Sequence, residues 1–197
     1  MGPGAAETAA RVVIKSGCGG LISFGLAGAL DPGLQQGSLV IAEEVVSARS
    51  ERFPTGRDWR ERLLGRLAPV DRPLSGGRLY GSDEPVLTAE GKRSLAAHTG
   101  ASVTDMESHA VARVARDERV PLLVVRAVLD AARDSIPGWL PRVVDARGRP
   151  RIAEVALGCL ANPRDLPCLL RLARSRRAGL ASLRRVALHA GPLFALE

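Results

Sequence analysis

Aromatic and sulfur-containing side chains are scarce in this chain of 197 residues, which has 3% aromatic residues, three cysteines and two methionines. Proteins that bind single-stranded nucleic acid stack its bases on aromatic rings, and Phe194 is the only aromatic residue that follows Trp139. The cysteines (Cys18, Cys159 and Cys168) are odd in number and far apart in the sequence. We therefore expect free, buried thiols, and neither a disulfide framework nor a zinc site.

Long apolar runs and cofactor motifs are missing as well. No run reaches the ~18 residues of a membrane-spanning helix, and the first residues, Met-Gly-Pro-Gly-Ala-Ala-Glu, lack the basic start and apolar core of a secretory signal. No dinucleotide fingerprint, P-loop or metal-binding spacing is present, so we expect no cofactor and no metal. These absences predict a cytoplasmic location.

The remaining composition is that of a globular protein, with 46% hydrophobic and 25% charged residues. A chain of this length buries roughly two thirds of its unfolded surface, and we expect a single domain over residues 1–197. The formal net charge is +7, but residues 1–137 carry 17 basic and 17 acidic side chains. The excess therefore lies wholly in residues 138–197, and nucleic acid is not an expected partner.

Arginines and leucines alternate in the C-terminal segment, residues 164–197. This pattern predicts a basic amphipathic helix. Two interpretations stay open. Either the apolar face covers the rest of the domain while the arginines are solvated, or the helix lies on an anionic membrane surface as a peripheral contact.

Helical and strand patterns alternate along the chain, which predicts an α/β fold with a largely parallel sheet. Residues 122–129 form a nearly uninterrupted apolar run with β-branched residues in its middle, typical of a strand buried on both faces. Helices are predicted at residues 5–15, 59–67, 88–98, 106–119 and 165–189, strands at residues 21–24, 39–46, 78–80, 101–105 and 122–129, a turn at residues 25–28, and exposed connections at residues 49–75 and 137–150.

Ligands of such sheets bind beyond the carboxyl ends of the strands, and three segments place unusual residues there. The small residues at positions 25–28 would let a ligand approach the backbone, or they form a plain turn. Asp105 and Glu107 flank Met106 where a strand becomes a helix, and their alternative role is to complement the helix dipole. Asp130 follows the buried strand as a helix cap or a catalytic group, with Asp134 as the competing acid.

Together these segments carry a family resemblance. The stretches GLISFGLAGALDPGLQQGSLVIAEEV, VTDMESHAVARVA and VPLLVVRAVLDAARD resemble, in order and spacing, successive signatures of the nucleoside phosphorylase/nucleosidase superfamily. That family includes purine nucleoside phosphorylases and methylthioadenosine/S-adenosylhomocysteine nucleosidases. The tail, with ARGRPRIAEVALGCLANPRDLPCLLRLARSRRAGLASLRRV, resembles the hopanoid-associated phosphorylase branch. The resemblance implies a three-layer α/β fold with a central mixed, largely parallel sheet flanked by helices.

The resemblance also implies an activity, the cleavage of the N-glycosidic bond of an adenosyl-type nucleoside with release of adenine. Adenosylhopane is the substrate that the hopanoid-associated branch implies. Asp130 matches the acid that protonates the purine N7, for which its pKa must rise far above the reference value of about 3.9. Glu107 matches the carboxylate that holds the ribose hydroxyls and faces the cationic sugar. The other implied substrate-binding residues are Met106, Asp105, Thr104, Gly25, Ala27 and Gly28, and the implied assembly is a homo-oligomer.

Some positions depart from the family pattern. Leu129 stands where relatives often have a serine, and Leu26 stands where phosphorylases commonly have a phosphate-binding serine. These changes weaken phosphorolysis relative to hydrolysis, but both reactions stay open, because phosphate as a co-substrate could bind at a different site. In relatives several strands precede a helix like residues 5–15, so the fold is expected to be N-terminally truncated and the chain weakly active or inactive. The alternative function is a catalytically incomplete paralogue that binds a nucleoside or a partner enzyme.

Overall fold

The structure is a computed structural model that describes residues 2–69, 74–144 and 151–196. Within these residues helices and strands alternate, as the sequence predicts. The α-helices are α1 (Pro3–Lys15), α2 (Arg57–Leu67), α3 (Ala89–Thr99), α4 (Ser108–Asp117), α5 (Ile152–Ala161) and α6 (Leu166–His189). The strands are β1 (Leu21–Ala29), β2 (Leu39–Ile41), β3 (Glu44–Ser47), β4 (Arg52–Pro54), β5 (Leu74–Ser75), β6 (Arg78–Gly81), β7 (Val103–Asp105) and β8 (Leu122–Asp130).

The strands form one mixed sheet in the order β4-β3-β6-β7-β1-β8-β2-β5. Four of its seven described pairings are parallel, which confirms the mixed, largely parallel sheet. Strands β1 and β8 run parallel side by side, from Leu21 opposite Leu122 to a bulge after Ala27. Their carboxyl ends therefore meet at the same edge of the sheet.

Helices cover both faces of this sheet, which confirms the three-layer fold. Successive side chains of β8 alternate between two apolar clusters, because side chains of a strand point to opposite faces. Val124 packs in the cluster that contains residues of α1 and α4. Val125 packs in the cluster that contains residues of α2 and α6.

The predicted helix at residues 88–98 is confirmed, together with its cap. The Thr88 hydroxyl accepts a hydrogen bond from the Gly91 amide at 3.0 Å, which satisfies one of the amides that the start of a helix leaves free. Helix α3 ends at Gly100, whose φ of +63° is the left-handed conformation that glycine adopts without a steric penalty. The start and end of α3 are thus encoded locally.

The predicted turn at residues 25–28 is wrong, because β1 continues through it to Ala29. The small residues serve the packing of the strand instead. A Cβ atom at Gly25 would collide with the Arg126 guanidinium of the neighbouring strand, and one at Gly28 would lie 3.4 Å from the Asp130 carboxylate. Gly25 therefore makes room for Arg126, whereas a Cβ atom at Gly28 would make only an ordinary contact with Asp130.

Other boundaries also differ from the expectation. The single strand expected at residues 39–46 is two strands, because β2 pairs with β8 while β3 pairs with β6. The connection at residues 49–75 is not simply exposed, since α2 buries Trp59, Leu63 and Leu67. Helix α5 was not predicted, and residues 145–150 of the predicted connection lie outside the described residues. Cys18 is exposed and Cys159 and Cys168 are half-buried, so the expected burial of the thiols is wrong.

The basic C-terminal helix, α6, ends at His189, which confirms the helix predicted at residues 165–189, while the basic segment of residues 164–197 extends beyond it. Its buried residues are Ser175, Gly179, Ser182, Leu183 and Val186, which face the sheet. The half of α6 that contains them covers the domain, as the first interpretation of the tail requires. In the part of the chain that the structure describes, no helix combines the length and apolarity needed to cross a membrane.

We predict that Leu183→Ala lowers the free energy of unfolding by about 2–5 kcal/mol, because this 5% exposed side chain fills the space between α6 and the sheet. Leu188→Ala is the matched control on the same helix, since Leu188 is 68% exposed, and its effect is expected to stay within about 0.5 kcal/mol. Urea denaturation measures both. Equal losses in the two variants would mean that α6 does not pack on the sheet in this orientation.

Candidate active site

A cavity of about 200 Å³ lies where the carboxyl ends of β1 and β8 meet the turn between β7 and α4. Strand β7 runs antiparallel to the end of β1, which puts Thr104 opposite Gly28. The cavity is lined by seven of the residues singled out from the sequence: Ala27, Gly28, Thr104, Asp105, Met106, Glu107 and Asp130.

A second cavity, of about 890 Å³, adjoins the first and shares Met106, Glu107 and Leu129 with it. Gly25, the remaining predicted residue, lies here. The cavity runs between α1 and β1. One edge of β1 pairs with β8 along its length, whereas the other edge pairs with β7 only at Gly28 and Ala29. Phe24 is accordingly 37% exposed in the middle of the sheet order. A smaller and a larger cavity therefore meet at the same pair of residues, Met106 and Glu107.

Asp130 is the last residue of β8 and is only 6% exposed. Burial raises the pKa of its carboxyl group, and the negative charge of Asp134 adds to this, while the positive charge of Lys92 opposes it. The Lys92 ammonium group donates a hydrogen bond to Asp130 Oδ2. The net effect is a carboxyl group that retains its proton more readily than an aspartate in water.

Lys92 is a site residue that the sequence analysis missed. Its side chain is 0% exposed and comes from the first turns of α3, a helix whose remaining residues are mostly exposed or half-buried. The one signal in the sequence is composition, because only two of the 28 basic residues are lysines. Nothing in the spacing of α3 marks this lysine as buried.

Glu107 begins the turn into α4 and borders both cavities. Burial raises the pKa of its carboxyl group, and the nearby charge of Asp105 raises it further, while Arg126 acts in the opposite direction. Two carboxyl groups with raised pKa values, the buried Asp130 and the half-buried Glu107, thus line one cavity. Such perturbed groups are concentrated at functional sites.

Asp105 is held by several partners at the base of the site. Its carboxylate accepts hydrogen bonds from the Ser108 hydroxyl at 2.6 Å and from the Ser108 amide at 3.1 Å, and it forms a buried ion pair with Arg126. The Arg126 guanidinium also donates to Ser23 at 2.6 Å. These contacts connect β7, α4, β8 and β1, so the geometry gives Asp105 a structural task beside any contact with a ligand.

Among the described residues that line the smaller cavity, Thr104 contributes the one polar side-chain atom that is buried without a hydrogen-bond partner, its hydroxyl Oγ1. A buried hydroxyl group without a partner is unfavourable by about 1–3 kcal/mol. A ligand in the cavity could supply the missing partner. The rest of the wall is mainly apolar, and Leu26 and Leu129 offer no hydroxyl group.

A family model described as the phosphorylase superfamily matches residues 1–161. The chain belongs to this superfamily. The membership confirms the family, and with it the enzyme class, that the motifs predict. A comparison with curated protein sequences found no match. The comparisons do not bear on the hopanoid-associated branch, which stays a prediction.

Solved structures of nucleosidases have the same fold. The 5′-methylthioadenosine/S-adenosylhomocysteine nucleosidase of Neisseria meningitidis, in complex with methylthio-immucillin-A, has a TM-score of 0.72 at 17% identity, covering 96% of this chain and 76% of that one. Futalosine hydrolase of Helicobacter pylori has a TM-score of 0.68 at 17% identity, covering 95% and 76%. The Campylobacter jejuni nucleosidase has a TM-score of 0.64 at 23% identity, covering 70% and 67%. The matched parts span two thirds to three quarters of these solved chains.

For this member of the superfamily, we predict that Arg126→Met lowers the free energy of unfolding by about 3–5 kcal/mol, because Asp105 is then buried without an opposite charge. The control is Arg11→Met, which removes an exposed ion pair with Glu7 at 3.0 Å and is expected to change stability by less than about 1 kcal/mol. Both are measured by urea denaturation. A loss for Arg126→Met no larger than that of the control would contradict the buried ion pair.

Proposed function

We propose that the protein cleaves the N-glycosidic bond of an adenosyl-type nucleoside and releases adenine, and that its natural substrate carries a large apolar group on the ribose, as adenosylhopane does. The observation that carries this proposal is the pair of carboxyl groups on one cavity, the buried Asp130 and the half-buried Glu107. Nucleosidases and a futalosine hydrolase among the structures of the same fold support the reaction class.

Asp130 is the proposed general acid. As the bond between the base and ribose C1′ breaks, the bonding electrons move to the base, and Asp130 donates its proton to the purine N7. The raised pKa of Asp130 favours the protonated form that this step needs. The apolar wall, with Leu26, Val86 and Leu129, suits a planar base.

Glu107 is the proposed ribose-binding group. Its position where the two cavities meet puts a carboxyl group between the base side and the open side. In its ionised form it would accept hydrogen bonds from the ribose hydroxyls and stabilise the positive charge that develops on the sugar. Met106, beside it, would pack against the sugar ring. Thr104 would donate or accept a hydrogen bond through its free hydroxyl group.

Water is the acceptor that we favour over phosphate. No lysine or arginine lines the smaller cavity among the described residues, whereas a phosphate ion needs positive charge or several hydrogen-bond donors. Arg126 borders the larger cavity, and its Nη2 is engaged with Asp105, Ser23 and Ser108, which leaves Nε as its one buried guanidinium nitrogen found without a partner among the described residues. Hydrolysis joins the oxygen of water to C1′, and the proton that this water loses is returned through solvent to Asp130. The products are adenine and the substituted ribose with a hydroxyl group at C1′.

The larger cavity supports an apolar substituent on the sugar. Its wall between α1 and β1 is formed by side chains such as Ala6, Val13 and Ile22, and an apolar group that leaves water for such a wall gains roughly 25 cal/mol per Å² buried. The volume of about 890 Å³ exceeds what a methylthio group would need.

The sequence analysis leaves open a contact of residues 164–197 with an anionic membrane surface, but the second half of α6 packs on the sheet. We therefore propose the preceding helix, α5, as the element that contacts such a surface. Three of its apolar side chains are largely exposed, Ile152 at 81%, Leu157 at 65% and Leu160 at 79%. Exposed arginines flank them at Arg151 and Arg164. Apolar side chains that enter the lipid boundary and arginines that bind lipid phosphates are the features of an interfacial helix. Such a contact would bring the protein to a membrane-embedded substrate.

We predict that Asp130→Asn lowers the rate of adenine release by about 10²- to 10⁴-fold, the usual contribution of a general acid. The assay measures the release of radiolabelled adenine, with and without phosphate. Its substrates are methylthioadenosine, S-adenosylhomocysteine and an adenosyl compound with a long apolar chain. The wild-type rate is expected to be independent of phosphate.

Asp117→Asn is the matched control, since Asp117 lies at the exposed end of α4 and its variant should retain the wild-type rate. Unchanged adenine release in Asp130→Asn would contradict the assignment of the acid. If neither the wild type nor Asp130→Asn releases adenine from any of the substrates while both still bind the nucleoside, catalysis would be contradicted and a nucleoside-binding paralogue supported.

We predict that the protein floats with vesicles that contain anionic phospholipid and that Leu157→Asp combined with Leu160→Asp abolishes flotation, because charged side chains do not enter the lipid boundary. Leu188→Asp makes the same change at a position 68% exposed on α6 and should leave flotation intact. Equal flotation of all three proteins, or none by the wild type, would refute the membrane contact through α5.

A further inference from the structure

The Lys92 ammonium group is completely enclosed and uses all three of its hydrogens in hydrogen bonds. One goes to Asp130 Oδ2. The other two go to the backbone carbonyl oxygens of Ala131 and Asp134, each at 2.9 Å. The side chain thus binds the proposed acid and the turn that follows it at the same time.

We propose that Lys92 is a positioning residue of this site, which holds Asp130 by Oδ2 and stabilises its carboxylate when the proton leaves for the base. The inference rests on the proposed function of Asp130 as the acid. Among the described residues, the only hydrogen bond found for the Asp130 carboxylate is the one that Oδ2 accepts. Oδ1 is then the atom that exchanges the proton with a base in the cavity.

The physical reason is the charge balance of a buried pair. Burial without a partner would make Asp130 keep its proton too tightly to donate it. An ammonium group in hydrogen-bond contact stabilises the carboxylate that remains after donation, so the proton is transferred to the base more easily. The charge of Lys92 therefore offsets part of the effect of burial.

The other charged groups around Asp130 act more weakly or at a greater distance. Asp134, in the turn after β8, repels a negative charge on Asp130, but Arg171 of α6 lies 3.4 Å from the Asp134 carboxylate and balances it. Glu107, from the start of α4, borders the same cavity. Lys92 is the cation in direct contact with Asp130 in the described part of the chain.

The backbone around Lys92 is fixed to the same turn. The Ile136 amide donates to the Leu87 carbonyl at 2.8 Å, and the Ala89 amide donates to the Ser135 hydroxyl at 3.1 Å. Helix α3 and the turn after β8 therefore move as one unit. The ammonium group cannot leave Asp130 without opening these contacts.

The pairing can be tested by NMR without any nucleoside, because the chain has only two lysines. Protein labelled with 15N at the lysine side chains should give two ammonium signals, one from the exposed Lys15 and one from Lys92, assigned by Lys15→Arg. We expect Asp130→Asn to shift the Lys92 signal and leave that of Lys15 unchanged. A Lys92 signal that is identical with and without Asp130→Asn would overturn the proposal.

The role in catalysis is tested by Lys92→Met, which removes the charge and keeps a side chain of similar length. We expect kcat to fall on the order of 10- to 100-fold, within the range of acid catalysis, with KM changed less than about threefold. The pH profile of kcat gives a second measurement, because activity is lost at high pH when Asp130 loses its proton. Without Lys92 the pKa of Asp130 rises, so the basic limb of this profile should move up by about one pH unit or more.

Lys92→Arg and Lys15→Met serve as controls. The guanidinium keeps the charge, so Lys92→Arg should leave the basic limb near its wild-type position even where kcat falls, and Lys15→Met should leave both unchanged. An unshifted basic limb in a folded Lys92→Met protein would overturn the role in proton transfer. If the wild type releases no base, the proposed function has failed, and the NMR comparison alone decides whether Lys92 holds Asp130.

Discussion

Strand β8 carries two charged side chains into the interior, Arg126 and Asp130, and a buried charge is stable only beside an opposite charge. Arg126 is balanced by Asp105, which arrives with β7 and the start of α4. Asp130 is balanced by Lys92, which arrives with α3. Each pair therefore attaches a separate element to the carboxyl half of one strand. The smaller cavity lies between these elements, at the carboxyl end of β8.

The two pairs leave the carboxyl groups of the site in unequal surroundings. Asp105 accepts hydrogen bonds from Ser108 as well as the ion pair, so its oxygens are committed to the fold. Asp130 contacts a single cation at one oxygen. The pKa of Glu107 is raised mainly by burial and by the negative charge of Asp105. Acid chemistry needs a group that exchanges its proton, and this ordering favours Asp130 and Glu107 over Asp105.

The parts of the site that could be predicted from the sequence are those marked by local pattern. Asp130 ends a long apolar run, and Met106 and Glu107 stand where a strand changes to a helix, so sheet topology alone brings them together. Lys92 could not be found in this way, because the burial of a lysine depends on a contact with residues 38 to 42 positions away. The length of β1 was underestimated for a related reason. Gly25 looks like a turn residue until its neighbour Arg126 is known to need the space.

The unequal shape of the two cavities is consistent with the chemistry proposed for them. Proton transfer from Asp130 involves a carboxyl group that is only 6% exposed, where a low dielectric strengthens its contact with Lys92. The nucleophile and any substituent on the sugar enter instead through the larger cavity, which runs along the open edge of β1 to Glu107 and Met106. A base held beside Asp130 and a sugar held beside Glu107 would place the anomeric carbon where the two cavities meet. Water in the larger cavity would then reach this carbon as the bond to the base breaks.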